Sequence, residues 1–163
     1  MKHRAMALFL ALATALMVPG MAAAADRSVP PSEKLIITVT PVFQLSGENT
    51  FTASTGPITR GCYYAATNIL GNVVYSYTIW QTFSYDGTNI TYFPPPSHSS
   101  TSDLGWVLTS ASDSHWWITQ PRTAAARGNW TFTQYVGGQP YKSASGWVQI
   151  NINGNGSTSC SSS

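Results

Sequence analysis

Few residues in this chain have the chemistry for catalysis. Beyond position 25 it holds two histidines, His98 and His115, and six acids: Asp26, Glu33, Glu48, Asp86, Asp103 and Asp113. Asp113, Ser114 and His115 have the side chains of a hydrolase triad, but a triad is defined by spatial roles rather than adjacency. In a strand Ser114 would point away from both neighbours. Gly-x-Ser-x-Gly does not occur, so the nucleophile elbow is absent. His98, Asp103, Asp113 and His115 are metal-ligating types, yet their spacings match no zinc pattern. No two acids are visibly paired for glycosidase work. The expectation is a protein without enzymatic activity, cofactor or metal.

The first residues set the compartment. Lys2, His3 and Arg4 precede an apolar run from Ala5 to Val18, which Pro19-Gly20 breaks. Ala23 to Ala25 then offers a small-residue cleavage site, completing the order of a secretory signal peptide. The run is short against the roughly 20 residues a spanning helix needs, and no later segment is longer. Cleavage of residues 1–25 would leave 138 of the 163 residues, the size of one domain. Lys2 and Arg4 would leave too, reducing Lys+Arg from 8 to 6 against an Asp+Glu of 6. A formally neutral exported chain gives no basic face for nucleic acid. The expected location is extracellular, with no membrane segment after cleavage.

Cys62 and Cys160 remain. Export favours a disulfide between them. The alternative is a Cys160 that lies free in a tail or pairs with another chain.

The elements that must carry these residues read as strands. Gly, Ser, Thr, Asn and Pro alternate with β-branched and aromatic runs. The expected strands are "KLIITVTPVFQL" (Leu35, Ile37, Val39 and Phe43 in phase), "PITRGCYYAATNI" (Ile58, Cys62, Tyr64 and Ala66 in phase), "NVVYSYTIWQTFSY", "TNITYF", "LGWVLTS", "HWWIT", "NWTFTQYV" and "GWVQINI". Asp86-Gly87 and Gly137-Gly138 mark turns. Pro94 to Pro96 and Ser97 to Ser102 read as a polar loop outside any sheet. Thr123 to Arg127 could form one helical turn. Residues 26–153 make one domain and 154–163 a Gly/Ser-rich tail. Seven to eight short strands indicate an all-β antiparallel sandwich or barrel, and a sandwich is preferred.

"GNWTFTQYVGGQPYKSASGWVQI" resembles the last two strands of bacterial immunoglobulin-like domains. Cys62 followed by Trp80 also resembles the immunoglobulin Cys–Trp pair. The resemblance implies an immunoglobulin-like β-sandwich and a buried Trp80. It departs at the second cysteine, which lies beyond the last expected strand.

Alternation assigns the aromatics. Val148, Ile150 and Ile152 share the inward phase of the last strand, leaving Trp147 outward. Trp130, Phe132 and Val136 face in and Tyr135 out, with Gln134 marking a bulge or an end. Trp106 aligns with Leu104 and Leu108 as core. Trp116 shares a phase with Ile118 and reads as core; Trp117 shares one with His115 and Thr119 and reads as outward. Tyr75, Tyr77, Ile79 and Phe83 form the more apolar phase of their strand, so alternation sends Trp80 outward.

Trp80, Trp117, Trp147 and Tyr135 therefore form an outward set suited to binding a protein or glycan partner. Cross-strand packing is the competing use of the same rings. The expected function is a secreted binding module. The alternatives are a small secreted structural or protective protein, and a hydrolase inhibitor presenting the Pro-rich loop 93–103.

Overall fold

The computed structural model describes residues 35–43 and 56–163. The signal-peptide reading of residues 1–25 lies outside the described residues, as do the side chains of Val42 and Phe43. The described residues are all-β, in antiparallel sheets.

The first sheet holds β1 (Ile36–Phe43), β2 (Ile58–Thr67) and β3 (Val73–Tyr85) in chain order. The far edge of β3 is shared by the short β4 (Ile90–Tyr92) and by β5 (Ser97–Ser102). The second sheet runs β6 (Trp106–Thr119), β7 (Thr123–Val136), β8 (Gln139–Asn153) and β9 (Thr158–Ser162), again in chain order. β5 lies beside β6 at one seam, and β1 beside β9 at the other. An immunoglobulin sandwich interleaves its strands between sheets. Here each sheet is a meander of consecutive strands.

The inward phases of both sheets meet in one core. β2 contributes Cys62, Tyr64 and Ala66, and β3 contributes Tyr75, Tyr77, Ile79 and Phe83. Trp106, Trp130, Phe132, Val148, Ile150 and Ile152 face them from β6, β7 and β8. Alternation read from the sequence placed all of these correctly. Cys62 and Cys160 are bonded, joining β2 of one sheet to β9 of the other.

Several local expectations are corrected. Ser97–Ser102 is a strand rather than a loop. Its residues are exposed, but β3 supplies a ladder from Tyr75 to Trp80 for its backbone. Thr123–Arg127 is the start of β7 and not a helical turn. Ala124 and Ala126 pack in the core, where small side chains suffice opposite larger ones. "LGWVLTS" and "HWWIT" are one strand, β6. The supposed tail contains β9, paired with β8 through Cys160 opposite Ile150. Val136 is 45% exposed because the register shifts at Gln134/Tyr135 and the strand then leaves the core. Ile37 is half-exposed with Ile36, since β1 is an edge strand.

The most instructive correction is in "HWWIT". Leu108 pairs with Phe132 and Ser110 with Thr131, so Thr109 is the extra residue of a bulge. A bulge exchanges the two faces for every residue beyond it. Ala111, Asp113, His115 and Trp117 therefore point inward, and Trp116 outward. Trp116 is 37% exposed, while Trp117 packs on the core with its ring 5.3 Å from that of Phe93. His115 also turns in, its ring meeting the edge of Phe93 at 5.1 Å. Ile118 sits in a second register shift at the strand end and is exposed, which made it a misleading guide.

The buried tyrosines link folding to alkaline pH. Burial holds the hydroxyls of Tyr64, Tyr75 and Tyr77 above the ordinary value of 10.0, and for Tyr77 the hydrogen bond to Asp113 and that residue's charge add to it. The folded pKa values are raised, so this stability is complete below pH 10.0 and is lost as pH rises toward the folded values. Urea midpoints measured across about pH 8 to 11 are expected to fall beyond the tyrosine range. Tyr77→Phe is expected to make that fall shallower by one proton.

Candidate functional site

The four aromatics expected to form one binding set do not meet. Trp80 is on the outer phase of β3, as alternation required, but it serves the sheet. Its indole lies over Gly61, where an added Cβ would come within 2.6 Å of the ring, and Nε1–H donates to Ser99 Oγ at 3.0 Å. Trp117 is turned inward by the Thr109 bulge. Tyr135 is exposed near the β7–β8 turn. Trp147 is on the outer phase of β8, in the other sheet from Trp80.

The outer face of β6–β9 gathers a different set. Register places Ser114 beside Arg127 and Arg127 beside Gln149. Trp116 lies two residues beyond Ser114 on β6, and Trp147 two residues before Gln149 on β8. Arg127 thus sits on the diagonal between two indoles. Its Cζ is 4.3 Å from the Trp147 ring centroid and 5.5 Å from that of Trp116. Both are within cation–π range. Arg127 Nε and Nη2 donate to Gln149 Oε1 at 2.9 and 2.7 Å, and Gln149 Nε2 donates to Asn151 Oδ1 at 2.6 Å. Asn129 Nδ2 reaches Ser112 Oγ at 3.4 Å in the adjacent row. Arg127 is therefore oriented by a neutral amide, and the His98–Asp113 ion pair lies elsewhere. The arrangement presents aromatic faces, amides, hydroxyls and a cation on a rigid sheet.

The inward phase of β6 carries a second polar group. Tyr77 Oη donates to Asp113 Oδ1 at 2.7 Å, and His98 Nδ1 lies 2.6 Å from Asp113 Oδ2. The His98 and Tyr77 rings stack at 5.1 Å. Gly128 makes room for them: an added Cβ would fall 2.5 Å from Tyr77 Cε1 and 3.1 Å from Asp113 Oδ1. Three strands from two sheets meet here, so the cluster ties β5 to β6 at a seam that has no backbone ladder. Ser114 is on the opposite face, with its hydroxyl near the backbone oxygen of Arg127. "DSH" is thus divided by the sheet: Asp113 finds His98, His115 finds Phe93, and Ser114 faces the other way. No set of three metal-ligating side chains occurs among the described residues. Within the Pro-rich segment 93–103, Ser97–Ser102 pairs with β3 as an exposed edge strand.

Sequence reasoning missed Trp116 and Arg127. One signal was available: a single charged residue, Arg127, interrupts "TAAARGN", where every neighbour is small. Its aromatic partners come from two other strands, and Trp116 could not be placed beside it without the bulge. No family model matches the chain, and neither a curated protein nor a solved structure matches it.

Proposed function

We propose that the chain is a secreted, non-enzymatic β-sandwich module that binds an anionic glycan on the outer face of β6–β9. The observation that carries this reading is Arg127 between Trp116 and Trp147, oriented by Gln149. A sugar ring stacks its C–H face on an indole, and its hydroxyls exchange hydrogen bonds with amide and hydroxyl side chains. Gln149, Asn151, Asn129 and Ser112 supply those groups. The charge of Arg127 faces an amide rather than a carboxylate, which favours a uronate carboxylate as the ligand's anionic group. Export is supported by the order of residues 1–25 and by the Cys62–Cys160 bridge. The immunoglobulin resemblance of Cys62 and Trp80 does not extend to the strand order, and the reading does not depend on it.

The test is titration calorimetry with uronate-bearing and neutral oligosaccharides of equal length. The uronate series is expected to bind and the neutral series to bind about tenfold more weakly. Trp116→Ala is expected to reduce affinity by about 10- to 100-fold while changing stability by less than about 1 kcal/mol. Equal affinity in Trp116→Ala and the unaltered protein, or no binding by either series, would overturn the proposal.

A further inference from the structure

Exposed apolar side chains are concentrated at one end of the molecule. Antiparallel register fixes which turns share an end. The β2–β3 turn follows Thr67, which pairs with Val73; the β5–β6 turn follows Ser102, which pairs with Tyr75; and the β7–β8 turn joins Val136 to Gln139. The turns are bonded in sequence. Asp103 N donates to Val74 O at 2.9 Å, and Tyr135 N donates to Gly105 O at 2.8 Å. Among the described residues, ten of the thirteen exposed large hydrophobic side chains lie at this end, too many for single scattered exposures.

Turn chemistry makes the choice of residues unusual. Gly71 N donates to Asn68 O, which puts Ile69 and Leu70 at the two central positions of a β-turn. Such positions favour Pro, Asp, Asn, Ser or Gly. Here the side chains are 69% and 80% exposed. In the second turn Trp106 N donates to Asp103 O, and Leu104 and Gly105 both have positive φ, at 52° and 78°. Gly or Asn suits the first of these positions, whereas leucine carries the left-handed penalty. Leu104 is 51% exposed and gains little packing for it. Folding alone therefore does not explain Ile69, Leu70 or Leu104.

The polarity of the end is layered. Aliphatic Ile69, Leu70 and Leu104 occupy turn tips. Tyr135 and Tyr141, both exposed, stand behind the Gly137-Gly138 tip of the third turn. Lys142 follows, with Nζ 5.2 Å over the Trp106 ring. Among the described residues Asp103 is the one acid at this end, and its Oδ1 accepts from Leu104 N. Aliphatic tips, a tyrosine girdle and a set-back cation follow the polarity gradient at the surface of a bilayer. A flat protein partner would not require that order.

We propose that these three turns insert into the interfacial layer of a lipid bilayer and hold the module at a membrane surface. The glycan face is on the side of the β6–β9 sheet, so this site is independent of it. Flotation of the full disulfide-bonded chain with phosphatidylcholine vesicles, with and without phosphatidylserine, tests the proposal. The unaltered protein is expected to float with both. Ile69→Ser combined with Leu70→Ser is expected to lower the partition coefficient about 100-fold. Leu104→Asn gives the decisive contrast: partitioning is expected to fall about tenfold while Tm rises, because asparagine tolerates the left-handed conformation. A purely structural Leu104 would instead lose Tm on substitution. Failure of the unaltered protein to float, or variants that float equally well, would overturn the proposal. So would sedimentation showing a dimer abolished by the same variants when the protein does not float, which would assign the end to a second copy.

Discussion

Replacing Cys62 and Cys160 together by alanine is expected to lower the unfolding free energy by about 4–5 kcal/mol. The two residues are 98 apart in sequence, so the bridge closes most of the described chain into one loop. In the chain-entropy account this restricts the unfolded ensemble, and the restriction grows with the logarithm of loop length. The native state adds a reason for a large effect. β9 is a five-residue strand with a backbone ladder to β8 alone, pinned further by Cys160. Without the bridge, β9 would rely on a short ladder and is expected to fray first. Urea titrations of the oxidised and doubly substituted proteins check both parts. The midpoint is expected to fall and the denaturant slope to rise, because an uncrosslinked chain exposes more surface on unfolding. Hydrogen exchange is expected to show the greatest loss of protection in Thr158–Ser162. An unchanged midpoint would mean that the bridge stores as much native strain as it removes unfolded entropy.

How much of this could be read in advance depended on whether a feature is local. The inward rows of β2, β3 and β8 were legible because alternation runs unbroken through Cys62–Tyr64–Ala66, Tyr75–Tyr77–Ile79 and Val148–Ile150–Ile152. Trp80 could be placed on the outer face for the same reason. Alternation did not reveal that Gly61 receives its ring, since that contact needs the register between two strands. Trp116 and Trp117 were exchanged because a bulge has no reliable sequence mark, and Thr109 looks like any strand threonine. Ser97–Ser102 looked like a loop because exposed edge strands need no apolar residue; their backbone partners decide the matter. The candidate face suffered most. Trp116, Arg127 and Trp147 stand on three strands, and their meeting depends on two registers and one bulge at once.

The second large effect is expected at Tyr75, where the two sheets are joined by rings rather than by a covalent bond. Its ring stacks on Phe132 at 4.6 Å and 23°, and meets Trp106 at 4.8 Å and Trp130 at 5.7 Å. Tyr75 comes from β3 and the other three from β6 and β7, so one side chain spans the interface between sheets. It is 1% exposed. Tyr75→Ala removes the largest fully buried type of side chain from the centre of this cluster and is expected to cost about 3–5 kcal/mol. The surrounding rings are rigid and fixed to strands, so collapse into the space is limited. Tyr75→Phe keeps the ring and removes only the buried hydroxyl, and is expected to cost about 1 kcal/mol. A cycle with Phe132→Ala isolates the stack itself, for which a coupling of about 0.5–1.5 kcal/mol is expected. The denaturant slope distinguishes this loss from that of the disulfide. Removing a ring from the native core leaves the unfolded chain nearly unchanged, so the midpoint is expected to fall with the slope constant. A raised slope in Tyr75→Ala would place part of the aromatic cluster in the unfolded state instead.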